Sequence, residues 1–165
     1  MMPVVIVDYA SEDLLFAERI LRECKVLNPI VAMKTGQECI DYFNRLDPDA
    51  ESPCLALIDL VMPHPNGVEI LKQLGNSHHA QRTIFVMLSG LADIKLIQQG
   101  YQHGARTFLV KPLLRDDVLR LFDAIKGIKI TRERDGYVLS FESSVNLGGA
   151  GGPKRPGSQS ISLSS

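Results

Sequence analysis

Residues 55–67 read LALIDLVMPHPNG, an apolar run that ends in Asp59 and is followed by a turn rich in proline. Short apolar runs bounded by turn residues are typical of buried parallel strands, although periodicity alone does not exclude a helix. Three more apolar runs end at a polar residue: VVIV (4–7) before Asp8, IFVML (84–88) before Ser89, and FLV (108–110) before Lys111. The repetition predicts four strands of one sheet, each with a polar side chain at its carboxyl end.

The segments between these runs carry helical signals. Apolar residues recur at helical spacing after Ser11, the expected N-cap of a first helix, and Glu12 and Asp13 lie near the positive end of its dipole. Thr35 predicts a capping box for a second helix. Three further helices are expected: one around residues 68–74, one that Asp93 caps and that ends near Gly104, and one from Asp116 to about Lys126. Helices therefore alternate with strands along the chain.

A strand at Ile30–Met33 completes five β–α units in about the first 126 residues. Because parallel neighbours need crossovers of one hand, this order predicts an α/β fold with a doubly wound, five-stranded parallel sheet of flavodoxin-like type. Such sheets bind ligands at their carboxyl edge. We expect a globular domain at 1–127, a C-terminal arm or hairpin at 128–146, and a disordered tail rich in Gly, Ser and Pro at 147–165.

Composition restricts the classes of partner. The net charge of -1 gives no electrostatic reason to expect nucleic acid or an anionic membrane as a partner. Asp8 interrupts the N-terminal apolar stretch too early for a secretory signal or a membrane span, so a cytoplasmic location is expected. Cys24, Cys39 and Cys54 lack metal-ligand spacing and are expected to be small buried hydrophobic residues.

Three motifs resemble a known family. LALIDLVMPHPNG resembles the phosphoacceptor segment of bacterial response-regulator receiver domains, and VMLSG (86–90) and TFLVKPL (107–113) resemble the fourth-strand and fifth-strand motifs of that family. The resemblance covers about residues 3–126. Residues 19–43 show a looser similarity to the single-domain regulators that pair with phytochrome-type histidine kinases.

The resemblance implies a role for each strand-end residue. Asp59 would be the phosphoacceptor, a carboxylate nucleophile that receives a phosphoryl group from a histidine kinase or phosphotransfer protein. Lys111 would neutralise charge on that group, and Ser89 would donate its hydroxyl to a phosphoryl oxygen. Phe108 would be the aromatic switch residue, which packs inward when the loop after Ser89 moves. Apart from this chemistry at Asp59, no enzymatic activity is expected.

The chain departs from the family pattern after the first strand. The resemblance implies two adjacent acids there, but the sequence reads Asp8-Tyr9. The implied Mg²⁺ ligands are Asp8, Asp59 and the backbone carbonyl of Val61, with Glu12 as a further candidate through water. A neutral phenol is a poor ligand for a hard cation. We therefore expect Mg²⁺ binding to be weakened by Tyr9.

Two functions remain open. The first is a single-domain response regulator that works by phosphorylation-dependent contacts with a downstream protein target, as a homodimer. The second is a receiver-like protein-binding module that does not use phosphorylation. Retention of Asp59, Ser89 and Lys111 favours the first, and Tyr9 favours the second. A phosphatase is disfavoured because Val61 occupies the position where a general acid would stand.

Two further features of the sequence are the segment 128–141 and three histidines. IKITRERDGYVLSF (128–141) is interpreted either as a hairpin packed on its own domain, with Asp135-Gly136 as a two-residue turn, or as an extended arm at a dimer contact. His78 and His79 are expected to be solvated. His64, which follows Asp59 closely in sequence, is a candidate for contact with a phosphodonor.

Overall fold

A computed structural model of the protein describes residues 1–90 and 93–143. Strands and helices alternate from the amino terminus, and two further strands follow. The elements are β1 (Val4–Val7), α1 (Ser11–Glu23), β2 (Ile30–Met33), α2 (Gly36–Arg45), β3 (Leu55–Asp59), α3 (Gly67–Leu74), β4 (Ile84–Ser89), α4 (Ile94–Gln102), β5 (Ala105–Val110), α5 (Arg115–Ala124), β6 (Ile128–Arg132) and β7 (Tyr137–Phe141). A short 3₁₀ helix, Ala80–Arg82, precedes β4.

The first five strands form one sheet in the order β2-β1-β3-β4-β5, and every neighbouring pair is parallel. The strand order changes direction between β1 and β3, which is where sheets of this topology leave a crevice at their carboxyl edge. This arrangement confirms the predicted doubly wound, flavodoxin-like sheet. It also places the ends of β1 and β3 side by side.

Apolar side chains cover both faces of the sheet. One cluster includes residues of α1, α5 and the β6–β7 hairpin, and the other includes residues of α2 and α3. All four residues of β1 are 0% exposed, which explains why VVIV shows no polar alternation. The edge strands β2 and β5 are only partly buried.

The helix starts agree with the sequence at two of three predicted N-caps. The side chains of Thr35 and Asp93 accept backbone hydrogen bonds at the starts of α2 and α4, as predicted. Ser11 is instead the first residue of α1, and Ala10 occupies the N-cap position. Two residues before Ala10, Asp8 Oδ1 accepts the N–H of Ala10 at 3.0 Å. A carboxylate rather than a hydroxyl therefore organises this turn.

Two leucines of the apolar helical runs face solvent. Leu15 in α1 is 69% exposed and Leu119 in α5 is 37% exposed. Each follows a buried residue, Leu14 or Val118, by one position. One position along a helix is a rotation of about 100°, which carries the side chain away from the buried stripe. Leu15 and Leu119 therefore lie outside the core, although both stand in apolar helical runs.

β6 and β7 form an antiparallel hairpin whose loop differs from the predicted one. The N–H of Glu133 donates to the carbonyl of Gly136 at 2.8 Å, so the loop is centred on residues 134–135 and not on Asp135–Gly136. A Cβ at Gly136 would lie 2.2 Å from the carbonyl oxygen of Lys25. The glycine is therefore required for close packing against the loop after α1, rather than for the turn.

The hairpin packs on its own domain through a buried asparagine. Asn28 Nδ2 donates to the carbonyls of Met2 and Leu139, at 2.7 and 2.8 Å, and Asn28 Oδ1 accepts from the N–H of Leu139 at 2.7 Å. Asn28 and Leu139 are both 0% exposed. Leu27 and Tyr137 add a backbone hydrogen bond between their N–H and carbonyl groups. The tail expected at 147–165 lies outside the described residues.

Cys24, Cys39 and Cys54 are buried free thiols, as predicted. Within residues 1–90 and 93–143, no helix has both the length and the apolar character needed to cross a bilayer.

Candidate functional site

The carboxyl ends of β1, β3 and β5 bring three predicted site residues together. Lys111 Nζ lies 2.7 Å from Asp8 Oδ2 and 3.4 Å from Asp59 Oδ2. The parallel register sets Val7 beside Ile58, so the two acids follow in adjacent strands. Asp8 is 2% exposed and Asp59 is 6% exposed. The site is thus a pair of buried carboxylates that share one ammonium group.

Lys111 has a third carboxylate partner, because Asp13 Oδ2 lies 2.8 Å from Nζ. Burial disfavours the charged ammonium, but the hydrogen bonds to Asp13 and Asp8 and the charge of Asp59 outweigh burial, and the pKa of Lys111 is raised. Lys111 therefore remains a cation at neutral pH.

The pKa of Asp59 depends on a different set of opposing effects. Burial and the nearby charge of Asp8 raise the pKa of Asp59 to about 6, against the opposing effects of Lys111 and of a backbone hydrogen bond. That bond is donated by the N–H of Val61 to Asp59 Oδ1 at 3.2 Å. At neutral pH Asp59 is mainly ionised and can act as a nucleophile.

Ser89 ends β4 at the same sheet edge. It is 2% exposed, and within the described part of the chain its Oγ is the one buried side-chain oxygen or nitrogen that has no hydrogen-bond partner. Its carbonyl accepts the N–H of Lys111 at 2.7 Å, so Ser89 and Lys111 are adjacent across β4 and β5. A buried hydroxyl without a partner is unfavourable by about 1–3 kcal/mol. This edge therefore holds a donor that an incoming oxygen atom can satisfy.

Phe108 lies on β5 and is partly buried. Its ring meets that of Tyr101 edge to face, with 6.4 Å between the ring centroids. Phe108 also packs against the core cluster on the α2–α3 side of the sheet. The contact links β5 to α4, the helix that follows Ser89 in the chain.

The residues near the missing acid are arranged unexpectedly. Tyr9 is 58% exposed, and Glu12, the predicted auxiliary ligand, is also exposed. The acid that reaches Lys111 is instead Asp13. The sequence interpretation assigned Asp13 only to the helix dipole and missed this contact. A signal was present, because Asp13 lies one helical turn before Ala17, which is buried on the sheet-facing side of α1.

The loop after Asp59 is fixed by close packing. A Cβ at Gly67 would lie 2.8 Å from the carbonyl oxygen of Asp59 and 3.0 Å from the Cα of Leu60. Glycine at this position lets the first turn of α3 approach the backbone of the site. Asn66 and Glu69 form a capping box that starts the same helix. The Asn-Gly pair of the opening motif therefore serves the helix behind Asp59.

The carboxylates fit a magnesium ion by their chemistry. Within the described residues, no group of three or more His, Cys, Asp and Glu side chains is arranged to hold a metal ion. Asp8 and Asp59 nevertheless place two buried carboxylates beside a single shared ammonium, which leaves excess negative charge. Mg²⁺ is commonly held by one or two carboxylates and keeps several water ligands. Two carboxylates are therefore a sufficient protein contribution.

His64 and His79 differ in burial and in their partners. His64 is exposed and pairs with Glu69. His79 is buried: its Nδ1 lies 2.7 Å from Ser52 Oγ, and its Nε2 lies 3.0 Å from the carbonyl oxygen of Asp47. Because a carbonyl can only accept, Nε2 carries the proton and Nδ1 accepts from the hydroxyl. The prediction that His79 is solvated was wrong, since the ring connects two loops.

Known proteins share this fold. Residues 4–123 match the family described as response regulator receiver domain. Two-component response regulator ARR6 of Arabidopsis thaliana is 29% identical over 135 residues, which cover 76% of this chain and 70% of the relative. The bacteriophytochrome response regulator AtBRR superposes with a TM-score of 0.64 at 25% identity, covering 74% of this chain and 91% of that one.

A second structure, the bacteriophytochrome response regulator RtBRR, gives a TM-score of 0.71 at 23% identity over 82% of this chain and 84% of that one, and it supports the fold alone. The chain spans 18% and 61% of the length of the first two curated relatives that it matches. The family match covers most of the sequence and includes Asp8, Asp59, Ser89 and Lys111. The chain therefore belongs to the response regulator receiver domains of two-component systems.

Proposed function

We propose that this protein is a response regulator of a two-component phosphorelay and that Asp59 is its phosphoacceptor. Receiver domains are signalling modules rather than classical enzymes. The observation that carries the proposal is the convergence of Asp8, Asp59 and Lys111 at one sheet edge, beside a buried Ser89 hydroxyl that has no partner within the described residues.

Phosphoryl transfer depends mostly on positioning and on charge neutralisation. An oxygen of the Asp59 carboxylate attacks the phosphorus atom of a phosphohistidine on a kinase or phosphotransfer protein. The P–N bond breaks as the P–O bond forms, and the nitrogen electron pair returns to the histidine ring. Lys111 is placed to neutralise one phosphoryl oxygen, and the Ser89 hydroxyl to donate to another.

Receiver domains generally bind Mg²⁺ at their acidic pocket. In this protein Asp8, Asp59 and the backbone carbonyl of Val61 would hold the ion, with Glu12 as a more distant candidate through water. The ion would neutralise negative charge on the transferring group. Tyr9 removes one carboxylate from the expected set, and weaker binding of the ion follows from that loss.

The signal would leave the site through β4, β5 and α4. The Ser89 hydroxyl would donate to the phosphoryl group at the end of β4, and Phe108 would link that change to α4 through its ring contact with Tyr101. Ile94, Val110 and Leu119 are exposed apolar residues on α4, β5 and α5. We propose that this surface contacts a downstream protein target or a second copy of the chain, in the cytoplasm.

The alternative is a receiver-like protein-binding module that does not use phosphorylation. A specific observation favours it, namely that position 9 carries an exposed Tyr rather than an acid. Under this alternative Lys111 would be a structural counter-ion for Asp8 and Asp13, and the surface of α4, β5 and α5 would bind its partner constitutively.

Beryllofluoride, which occurs in the solved "BeF3 Activated DrrB Receiver Domain", separates the two functions. We expect beryllofluoride with Mg²⁺ to shift the backbone amide resonances of Val61, Ser89 and Phe108 in a ¹⁵N spectrum, because the phosphoryl mimic would bind Asp59. Asp59→Asn is the matched control and should show no shift. An unchanged wild-type spectrum at saturating Mg²⁺ would support the constitutive binding module.

A further inference from the structure

The Lys111 ammonium has three N–H donors, and three carboxylates surround it. Asp8 and Asp13 lie at 2.7 and 2.8 Å from Nζ, and Asp59 lies farther away, at 3.4 Å. Asp8 and Asp59 come from the sheet, whereas Asp13 comes from the first turn of α1. The shortest contacts of Lys111 are therefore divided between one acid of the sheet and one acid of the helix.

The charges of these four groups determine how Lys111 and a cation would compete for the acids. The three carboxylates and one ammonium carry a net charge of -2, which a single divalent cation neutralises. Asp8 and Asp59 are the two buried acids that fit Mg²⁺. If Lys111 had only these two partners, its ammonium would compete with the cation for the same oxygen atoms. Asp13 offers Lys111 a partner outside the pair.

An ion pair between two exposed side chains would have little influence on the buried acids. Exposed pairs typically contribute between zero and about 1 kcal/mol, because solvent screens them. The Asp13 side chain is 46% exposed, but the Lys111 side chain that it contacts is only 19% exposed and also contacts Asp8, whose side chain is 2% exposed. Lys111 therefore connects the half-exposed Asp13 to the buried Asp8.

A separate observation marks this edge as a ligand site. Ser89 Oγ is buried at the end of the neighbouring strand, and it has no hydrogen-bond partner within residues 1–90 and 93–143. The Ser89 carbonyl is hydrogen bonded to the backbone of Lys111. The unsatisfied hydroxyl and the excess negative charge thus occur on adjacent strands.

We propose that Asp13 is a positioning residue that shares Lys111 with Asp8 and keeps the ammonium anchored when a cation takes the oxygen atoms of Asp8 and Asp59. The inference rests on the proposed function of this site. When Mg²⁺ binds Asp8 and Asp59, Lys111 keeps Asp13 as its anchor. Tyr9, which stands at the position of the missing acid, is exposed.

The test is a titration of the full chain with Mg²⁺ alone, followed by ¹⁵N NMR and without any phosphodonor. The reporters are the amides of Ala10 and Val61, because they donate to Asp8 Oδ1 and Asp59 Oδ1 respectively. Asp13→Asn should weaken Mg²⁺ binding by at least fivefold. Asp13→Glu, which keeps the charge, should recover most of the affinity.

Glu23→Gln is the matched control, since it removes one negative charge from the far end of the same helix. It should change the affinity by less than twofold, because Glu23 is exposed and lies outside the site. Equal effects of Asp13→Asn and Glu23→Gln would overturn the role of Asp13 and leave the proposed function intact. Asp8→Asn should abolish the saturable shift. A wild-type chain that shows no saturable shift would contradict the proposed Mg²⁺ site, and the inference with it.

Discussion

At the residue scale, the proposed phosphoacceptor Asp59 carries an energetic cost. Burial and the charge of Asp8 raise its pKa to about 6, whereas an unfolded Asp titrates near 3.9. The folded state therefore holds the Asp59 proton more tightly than the unfolded state does. Stability from this group is fully present below about pH 4, and it is lost as the pH rises through about 6.

The variant Asp59→Asn removes the group that titrates. We expect its free energy of unfolding at pH 7.5 to exceed that of wild type by about 1–3 kcal/mol, because no buried carboxyl has to ionise. At pH 4 the difference should largely disappear. Urea unfolding followed by circular dichroism at both pH values measures this. A gain of the same size at both pH values would show that its origin is not the ionisation of Asp59.

Ser89 gives a prediction in which stability and signalling change in opposite directions. Ser89→Ala removes a buried hydroxyl that has no partner within the described residues, so stability should rise by about 1 kcal/mol. The response of the Phe108 amide to beryllofluoride should be lost in the same variant. Urea unfolding and a ¹⁵N spectrum of the one sample check both parts.

Ser52→Ala is the matched comparison, because Ser52 is equally buried but its hydroxyl is bonded to His79 at 2.7 Å. Its removal should destabilise the protein by about 1–3 kcal/mol. If the two alanine variants lost the same stability, the Ser89 hydroxyl would have to be satisfied in solution.

At the element scale, the β6–β7 hairpin depends on Asn28. Asn28→Ala removes three hydrogen bonds, two of them buried, and takes the Asn28 partner from the N–H of Leu139 and from the carbonyls of Met2 and Leu139. We expect a loss of about 2–4 kcal/mol in the free energy of unfolding. The Leu139 amide should also lose protection from hydrogen exchange, while the amides of β3 remain protected.

Asn76→Ala, at an exposed position, controls for the change of residue type and should alter stability by less than about 0.5 kcal/mol. A loss of protection spread evenly over the hairpin and β3 would contradict a local role for Asn28. It would indicate that the hairpin and the sheet unfold together.

The predictable elements were those whose signals are local. β2 begins and ends where the apolar pattern indicates, and α2 begins directly after the predicted Thr35 cap. Two of the differences, at His79 and Gly136, depend on contacts between distant segments. His79 is buried because Ser52 and the carbonyl of Asp47 lie beside it, and Gly136 is required by the backbone of Lys25. Such neighbours are fixed by tertiary packing, which hydrophobic periodicity does not encode.

At the scale of the whole molecule, the same distinction applies to the site. The strand-end positions of Asp8, Asp59 and Lys111 predicted their convergence, because parallel strands bring their carboxyl ends to one edge. The contact of Asp13 had a weaker signal, namely its position one helical turn before the buried Ala17. It depends on the rotation of α1 over the sheet, which sets the face of the helix that meets Lys111.

The fold as a whole concentrates negative charge where a phosphoryl group and a cation would meet. The sheet supplies two buried acids, α1 supplies a third, and β5 supplies the ammonium that all three share. We propose that this arrangement directs phosphorylation to Asp59, and intact mass after incubation with acetyl phosphate, with and without Mg²⁺, measures that outcome. Wild type should gain one phosphoryl group only with Mg²⁺, and Asp59→Asn should gain none. An unmodified wild-type chain at high Mg²⁺, or an equal gain in the variant, would show that Asp59 is not the phosphoacceptor.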